Sequence, residues 1–140
     1  MESIPIQICR FLVAAGLGVF DELGSGGMLY HLGLPPEPDE AVAVRPTGGF
    51  NADPLNAYER PTVQILVRGT ADSRTGEVRA QAIYDALHGL RHQLLCTGGN
   101  WIVSCSGIQS GPNYIGPDEN GRHIYSLNFQ LITRSTTRRN

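Results

Sequence analysis

A chain of 140 residues with 13 acidic and 11 basic side chains has a size suited to one domain around one core. Its net charge of −2 argues against a protein that coats nucleic acid through overall charge. Cys9, Cys96 and Cys105 are odd in number and widely spaced, which reads as reduced thiols, and no run approaches the ~18 apolar residues of a membrane span.

Met1-Glu2-Ser3-Ile4-Pro5 lacks the cationic start of a secretory leader, so synthesis and first action in a cytoplasm are expected. Residues 3–15 fit a first helix. Ser3 is placed to cap it, and Pro5 falls in the first turn, where its missing N–H costs little. Ile4, Ile8, Phe11, Leu12 and Ala15 recur at three- and four-residue spacing and make one apolar stripe, ended by Gly16 and Gly18. The next glycines, Gly24-Ser25-Gly26-Gly27, lack the Lys-Ser/Thr of a phosphate loop and read as a turn. Met28–Leu32 and Ala41–Arg45 read as short strands. Joined through Pro35-Pro36-Glu37-Pro38-Asp39, they suggest a hairpin with a proline-stiffened loop.

Thr47 to Arg60 has no period and many turn formers, and is long for a connection inside a compact domain. It nevertheless carries Phe50, Leu55 and Tyr58, which a solvated linker does not need. That makes it a candidate assembly contact, with a surface loop folded back on its own domain as the alternative.

Thr62–Arg68 is the clearest strand, with Val63, Ile65 and Val67 on one face. From about Ser73 to Leu90 the spacing turns helical, and Val78, Ala82, Ile83, Ala86, Leu87 and Leu90 share a side. Gly89 opposes an extension of that helix to Cys96. Asn100–Ile108 alternates again, which puts Trp101, Val103 and Cys105 in phase as core. Gly111, Pro112, Gly116 and Pro117 punctuate a loop, and Asn120-Gly121 signals a tight turn. Arg122–Thr133 is the longest strand, with Tyr125, Leu127, Phe129 and Leu131 inward. Its other face, Ile124, Ser126, Asn128, Gln130 and Ile132, is mixed and could meet a neighbour. The 134–140 tail is short, polar and basic. The order helix, strand, strand, strand, helix, strand, strand predicts a single α+β domain over 1–140. It should hold a mostly antiparallel sheet of four or five strands, with two helices on one face.

The residues that could carry chemistry do not converge. His88, His92 and Cys96 at i, i+4, i+8 would share one face of a continuous helix and could grip zinc. Gly89 and Gly98-Gly99 interrupt that helix and no fourth ligand is indicated, so a half-exposed polar edge is the simpler reading. Cys105 would need His31 or His123 beside it to act as a nucleophile, whereas its phase with Trp101 and Val103 makes it core. Asp118 and Glu119 are adjacent and precede a tight turn, where they are expected to be solvated rather than paired for acid–base work. With Asn120 and Arg122 they form a second candidate assembly contact. Arg134, Arg138 and Arg139 read as a solvated end, and Trp101 and Tyr125 as core anchors rather than base-stacking platforms. No catalytic, metal-binding or cofactor-binding residue is expected. The chain reads as a non-enzymatic protein that works by assembling.

Four stretches carry a family resemblance: Arg60-Pro61-Thr62-Val63-Gln64-Ile65-Leu66-Val67-Arg68-Gly69, Ile83-Tyr84-Asp85-Ala86-Leu87, Tyr114-Ile115-Gly116-Pro117-Asp118-Glu119-Asn120-Gly121-Arg122 and Asn128-Phe129-Gln130-Leu131. Val44-Arg45-Pro46-Thr47-Gly48-Gly49 agrees more loosely. In these the chain resembles the tail terminator, or minor capsid, proteins of long non-contractile bacteriophage tails. The resemblance implies a ring, usually a hexamer, at the head-proximal end of the tail tube, which stops tube polymerisation and offers a surface to the neck. Partners would be further copies of the chain, the tail tube protein and neck or head-completion connector proteins. Genomic DNA would pass through the lumen without sequence-specific binding, and the protein would reside in the virion with no cofactor and no membrane contact. A closed ring uses heterologous contacts, one patch meeting a different patch on the next subunit. Its bore should avoid a dense arginine lining, and Asp53, Glu59, Asp118 or Glu119 could supply repulsion there. Another neck component of the same virion is the nearest rival. From a different class, a small ligand-binding regulatory domain could use the 47–60 loop as a lid.

Overall fold

The computed structural model describes residues 2–20, 28–50 and 58–134. The turn expected at Gly24–Gly27, Asp53 and Leu55 of the long loop, and the tail beyond Arg134 lie outside the described residues. In chain order the elements are α1 (Ile4–Ala14), β1 (Leu29–His31), β2 (Ala41–Pro46), β3 (Tyr58–Glu59), β4 (Thr62–Arg68), α2 (Ser73–Leu87), β5 (Arg91–Leu94), β6 (Trp101–Gly107), β7 (Asn113–Pro117) and β8 (His123–Arg134). The fold is α+β as expected. The sheet has eight strands rather than four or five, ordered β1-β2-β4-β8-β6-β5, with β3 and β7 also on β8.

β8 organises the sheet because it is long enough for four partners. Along one side β4 pairs Ile65 with Leu127 and Val63 with Phe129, and β3 adds Tyr58 opposite Arg134. Along the other side β7 takes the first part of β8 and β6 the last. The period-two pattern of β8 holds: Tyr125, Leu127, Phe129 and Leu131 are buried. Under α1 and α2 they join Ile8, Leu12, Val42, Val44, Ile65, Ile83 and Leu87 in one apolar cluster. Each fully buried side chain of this kind contributes ~1.5–3 kcal/mol relative to exposure.

α2 begins at an Asp72 cap, whose carboxylate accepts the Arg74 N–H at 3.0 Å. Its buried stripe is Gly76, Ala80, Ile83 and Leu87, whereas Val78, expected inside, is 68% exposed. The first turn sits on bare backbone: a Cβ on Gly69 would lie 2.5 Å from the Gly76 nitrogen, and Tyr125 donates its hydroxyl to the Ser73 carbonyl at 2.7 Å. That close approach turns the small residues, not Val78, toward the sheet. The helix stops at Leu87, and Gly89 at φ +92 redirects the chain into β5. In α1, Ser3 stands at the cap position but makes no side-chain capping bond, and Ala15 lies outside the helix and exposed.

Two further expectations are corrected. Met28–Leu32 and Ala41–Arg45 do not form a hairpin: β1 runs parallel to β2, with Leu29 opposite Val42 and His31 opposite Val44. Residues 32–40 carry the chain back before β2 starts, which is feasible because β1 is only three residues long. In β6 the expected phase breaks at a bulge between Ile102 and Ser104. Ile102 and Cys105 are therefore buried, while Trp101 and Val103 are half-buried, and the Arg134 guanidinium lies 5.6 Å from the Trp101 ring centre.

Candidate assembly surfaces

The turn between β7 and β8 is a charged lock with an open tip. Asp118 accepts the N–H groups of Asn120 and Arg122 at 2.9 Å each, and its second oxygen accepts Arg122 Nε at 2.9 Å. Arg122, with its side chain 8% exposed, also donates to the Pro36 carbonyl at 2.7 Å and to Asp39 at 3.3 Å. Arg68 donates to the Asp39 and Pro38 carbonyls at 2.9 and 2.6 Å. Arg68 at the end of β4 and Arg122 in the β7–β8 turn thus pin the proline loop across the sheet face opposite the helices.

Partial burial opposes ionisation of Asp118, but the N–H groups of Arg122 and Asn120 and the Arg122 guanidinium outweigh it and hold the carboxyl below its ordinary range. Burial likewise opposes the charge on Arg122, and its bond and attraction to Asp118, with Asp39 behind, reverse the balance and raise its pKa. For Arg68 burial, followed by repulsion from Arg122, prevails and lowers it. The expected solvated pair is therefore split: Asp118 turns inward, while Glu119 and Asn120 stand exposed at the tip.

Both described ends of the long loop are fastened. Thr47 N–H donates to the Thr62 carbonyl at 3.0 Å, Phe50 N–H to the Arg60 carbonyl at 3.1 Å, and the Thr47 and Thr62 hydroxyls meet at 2.6 Å. Phe50 remains 55% exposed beneath the Arg60 guanidinium, and Tyr58 is 45% exposed on β3.

The histidines and cysteines are dispersed. His88 caps α2, stacks on Tyr84 and accepts the Gly107 N–H at 3.0 Å; His92 sits at φ +54 within β5; Cys96 follows that strand. They share no helix. Among the described residues no group of three or more His, Cys, Asp or Glu side chains is arranged to hold a metal ion. Burial pushes the Cys105 and Cys9 thiols up to about 12, which keeps them protonated at neutral pH and poor nucleophiles. His123 shares a hydrogen bond with the Tyr114 hydroxyl at 2.7 Å. Among the described residues no helix is long and apolar enough to cross a membrane.

A family profile described as bacteriophage tail terminator protein matches residues 11–134. The chain belongs to the bacteriophage tail terminator family. Its fold is similar to that of a chain in a solved structure titled "Virion of native gene transfer agent (GTA) particle", with a TM-score of 0.68 over 95% of this chain and 96% of that one, at 18% identity. No curated protein sequence matches it. A tail terminator is a structural protein of the virion, and its exposed surfaces are the sites that bear on that role.

Among these surfaces, two features of this tail terminator escape a pattern reading. β5 has all four residues exposed, including Leu94 at 49%, and β7 exposes Tyr114 at 51% and Ile115 at 56%. Arg91-His92-Gln93-Leu94 hides as the end of a helix, and Asn113–Pro117 hides among glycines and prolines. The available signal is the absence of any acidic residue from Ala86 to Pro117, which sets this stretch apart from the rest of the surface.

Proposed function

We propose that this tail terminator assembles as a ring, hexameric in its closed form, on the head-proximal end of the tail tube. There it ends tube polymerisation and presents its free side to neck or head-completion connector proteins. Genomic DNA passes through the lumen without sequence-specific binding, and the ring forms in the host cytoplasm before it becomes part of the virion. Family membership across 11–134 is the observation that carries this reading.

The surface supports it. An open sheet with exposed β5 and β7 edges leaves backbone and apolar side chains for neighbours to cover. Phe50, Tyr58, Glu119 and Asn120 are exposed and suit contact with other subunits or with the tube. Asp118 and Arg122 fix the position of the tip that carries Glu119 and Asn120, and Leu55 is proposed as a further contact of the long loop. The test is to remove this protein from phage assembly and measure tails by electron microscopy. Tubes of uncontrolled length that fail to join heads are expected. Tails of normal length, joined to filled heads, would overturn the proposal.

A further inference from the structure

We infer that the open part of the sheet face opposite the helices binds the phosphate backbone of duplex DNA through Arg45, Arg60, Arg91 and Arg134, an inference that rests on the reading above that DNA passes this protein. Among the described arginines, Arg10, Arg74, Arg79 and Arg122 are engaged by carboxylates, and Arg68 by carbonyl oxygens. The other four are exposed and form no ion pair among the described residues. They all belong to one face.

Cross-strand register places them there, because residues directly opposite in a ladder share a face. Arg45 lies opposite Gln64, which lies opposite Asn128; Arg91 lies opposite Ser104, which lies opposite Ile132. Asn128, Ile132 and Arg134 are the positions of β8 that alternate with the buried Leu127, Phe129 and Leu131, so they point away from the helices. Arg60 stands between Tyr58, opposite Arg134, and Thr62, opposite Gln130. The register across those pairs is unbroken, which sets Arg60 beside Ile132. At ~3.4 Å per residue and ~4.8 Å per strand, the series Arg45, Arg60, Arg134, Arg91 advances in steps of about 8 to 14 Å.

The groups between the arginines are neutral hydrogen-bonding side chains: Thr62, Gln64, Asn128, Gln130, Ser104 and Ser106. The nearest described carboxylates lie elsewhere. Glu59 is opposite Thr133, on the helix side, and Asp39 and Asp118 are held by Arg122 at the other end of the sheet. Two of the guanidiniums are already placed, Arg134 at 5.6 Å from the Trp101 ring centre and Arg60 at 5.5 Å from that of Phe50. Stacking on a ring leaves the edge donors of a guanidinium free for phosphate and reduces the order lost on binding. Separated cations among neutral donors suit a backbone whose charge repeats along its whole length, because no single register is required. A protein partner would need a placed carboxylate for each arginine and an apolar centre, whereas only Ile132 and the half-buried Trp101 are apolar there. Contacts to phosphate alone carry no sequence information, and they let a duplex slide.

The test is fluorescence anisotropy of short DNA duplexes of unrelated sequence with the purified full chain, alone and assembled on tail tubes. Wild-type protein is expected to bind all duplexes equally and to weaken between about 50 and 200 mM salt. Arg45→Gln and Arg91→Gln should each weaken binding to every duplex and flatten the slope of log affinity against log salt by ~0.9. Combining Arg91→Gln with Arg134→Gln should flatten it by about twice as much. Arg74→Gln makes the same change of charge on α2 and should leave the slope as it is, with the thermal unfolding profile kept in every variant. Duplexes left free at about 50 mM salt, or equal flattening by Arg74→Gln, would overturn the proposal. Binding of an acidic tube or neck protein in place of DNA, lost in Arg45→Gln and Arg91→Gln, would overturn it too and assign the face to a protein. Tube capping is a separate readout. These variants should still cap tubes, so a failure on DNA leaves the tail terminator role standing, and wild-type protein that caps no tube overturns that role whatever the duplexes show.

Discussion

The two faces of the sheet are closed by different means. Beneath α1 and α2 lie Val42, Val44, Ile65, Leu127 and Phe129, an apolar layer whose stabilisation scales with buried area and carries no direction. On the opposite face Ala41 and Ala43 are fully buried although neither described helix lies on that side. There residues 36–39 of the proline loop lie over the sheet, fixed by charge-assisted hydrogen bonds from Arg68 and Arg122. Such bonds are directional and define one position for the loop. Because Arg122 also closes the Asp118 turn, the hairpin tip and the proline loop are coupled: displacing one strains the other. The hairpin tip proposed to meet neighbours is thus fixed from the directional face, and the nondirectional face supplies the stability.

Four substitutions test this division, from the largest effect to the smallest. Phe129→Ala removes the largest fully buried side chain and should destabilise by ~3–5 kcal/mol in urea unfolding, at every pH. Arg68→Met should lose ~1.5–3 kcal/mol with its two bonds to carbonyl oxygens. More tellingly, amide exchange should quicken in residues 32–40 and stay slow in α2; equal quickening in both would show that the faces are not independent. The third test is acid. The folded pKa of Asp118 lies below its unfolded value, so the turn's contribution is complete above the ordinary aspartate pKa of ~3.9 and is lost as pH falls through the lower folded value. Asp118→Asn should lower stability at neutral pH and flatten that part of the acid limb, and an unchanged limb would contradict the lock. Val78→Ser should change stability by no more than ~0.5 kcal/mol, since Val78 points away from both faces. A loss several times larger would return it to the core.

The sequence made the nondirectional face legible because periodicity reports burial. The alternation of β4 and β8 and the helical spacing through Ile83 and Leu87 all landed in the core cluster. Where register or backbone geometry intervened, periodicity misled. One bulge between Ile102 and Ser104 moved Trp101 and Val103 out of phase, and the Gly69–Gly76 approach rotated Val78 to the surface. The directional face was nearly silent. Nothing near Pro36 or Asp39 in the chain announces that two arginines 29 to 86 residues away reach them, and an arginine reads as solvated until its partners are known. Hence the Asp118–Arg122 turn reads from the sequence as a contact, while the inward turn of Asp118 and Arg122 does not show in it.

The most direct test of the central claim is electron imaging of the purified protein mixed with tail tubes, combined with native mass measurement. A closed six-subunit ring seated on one end of each tube, the end that joins the head, is the result expected. Monomers that never associate with tubes, or rings bound at the opposite tip, would contradict it.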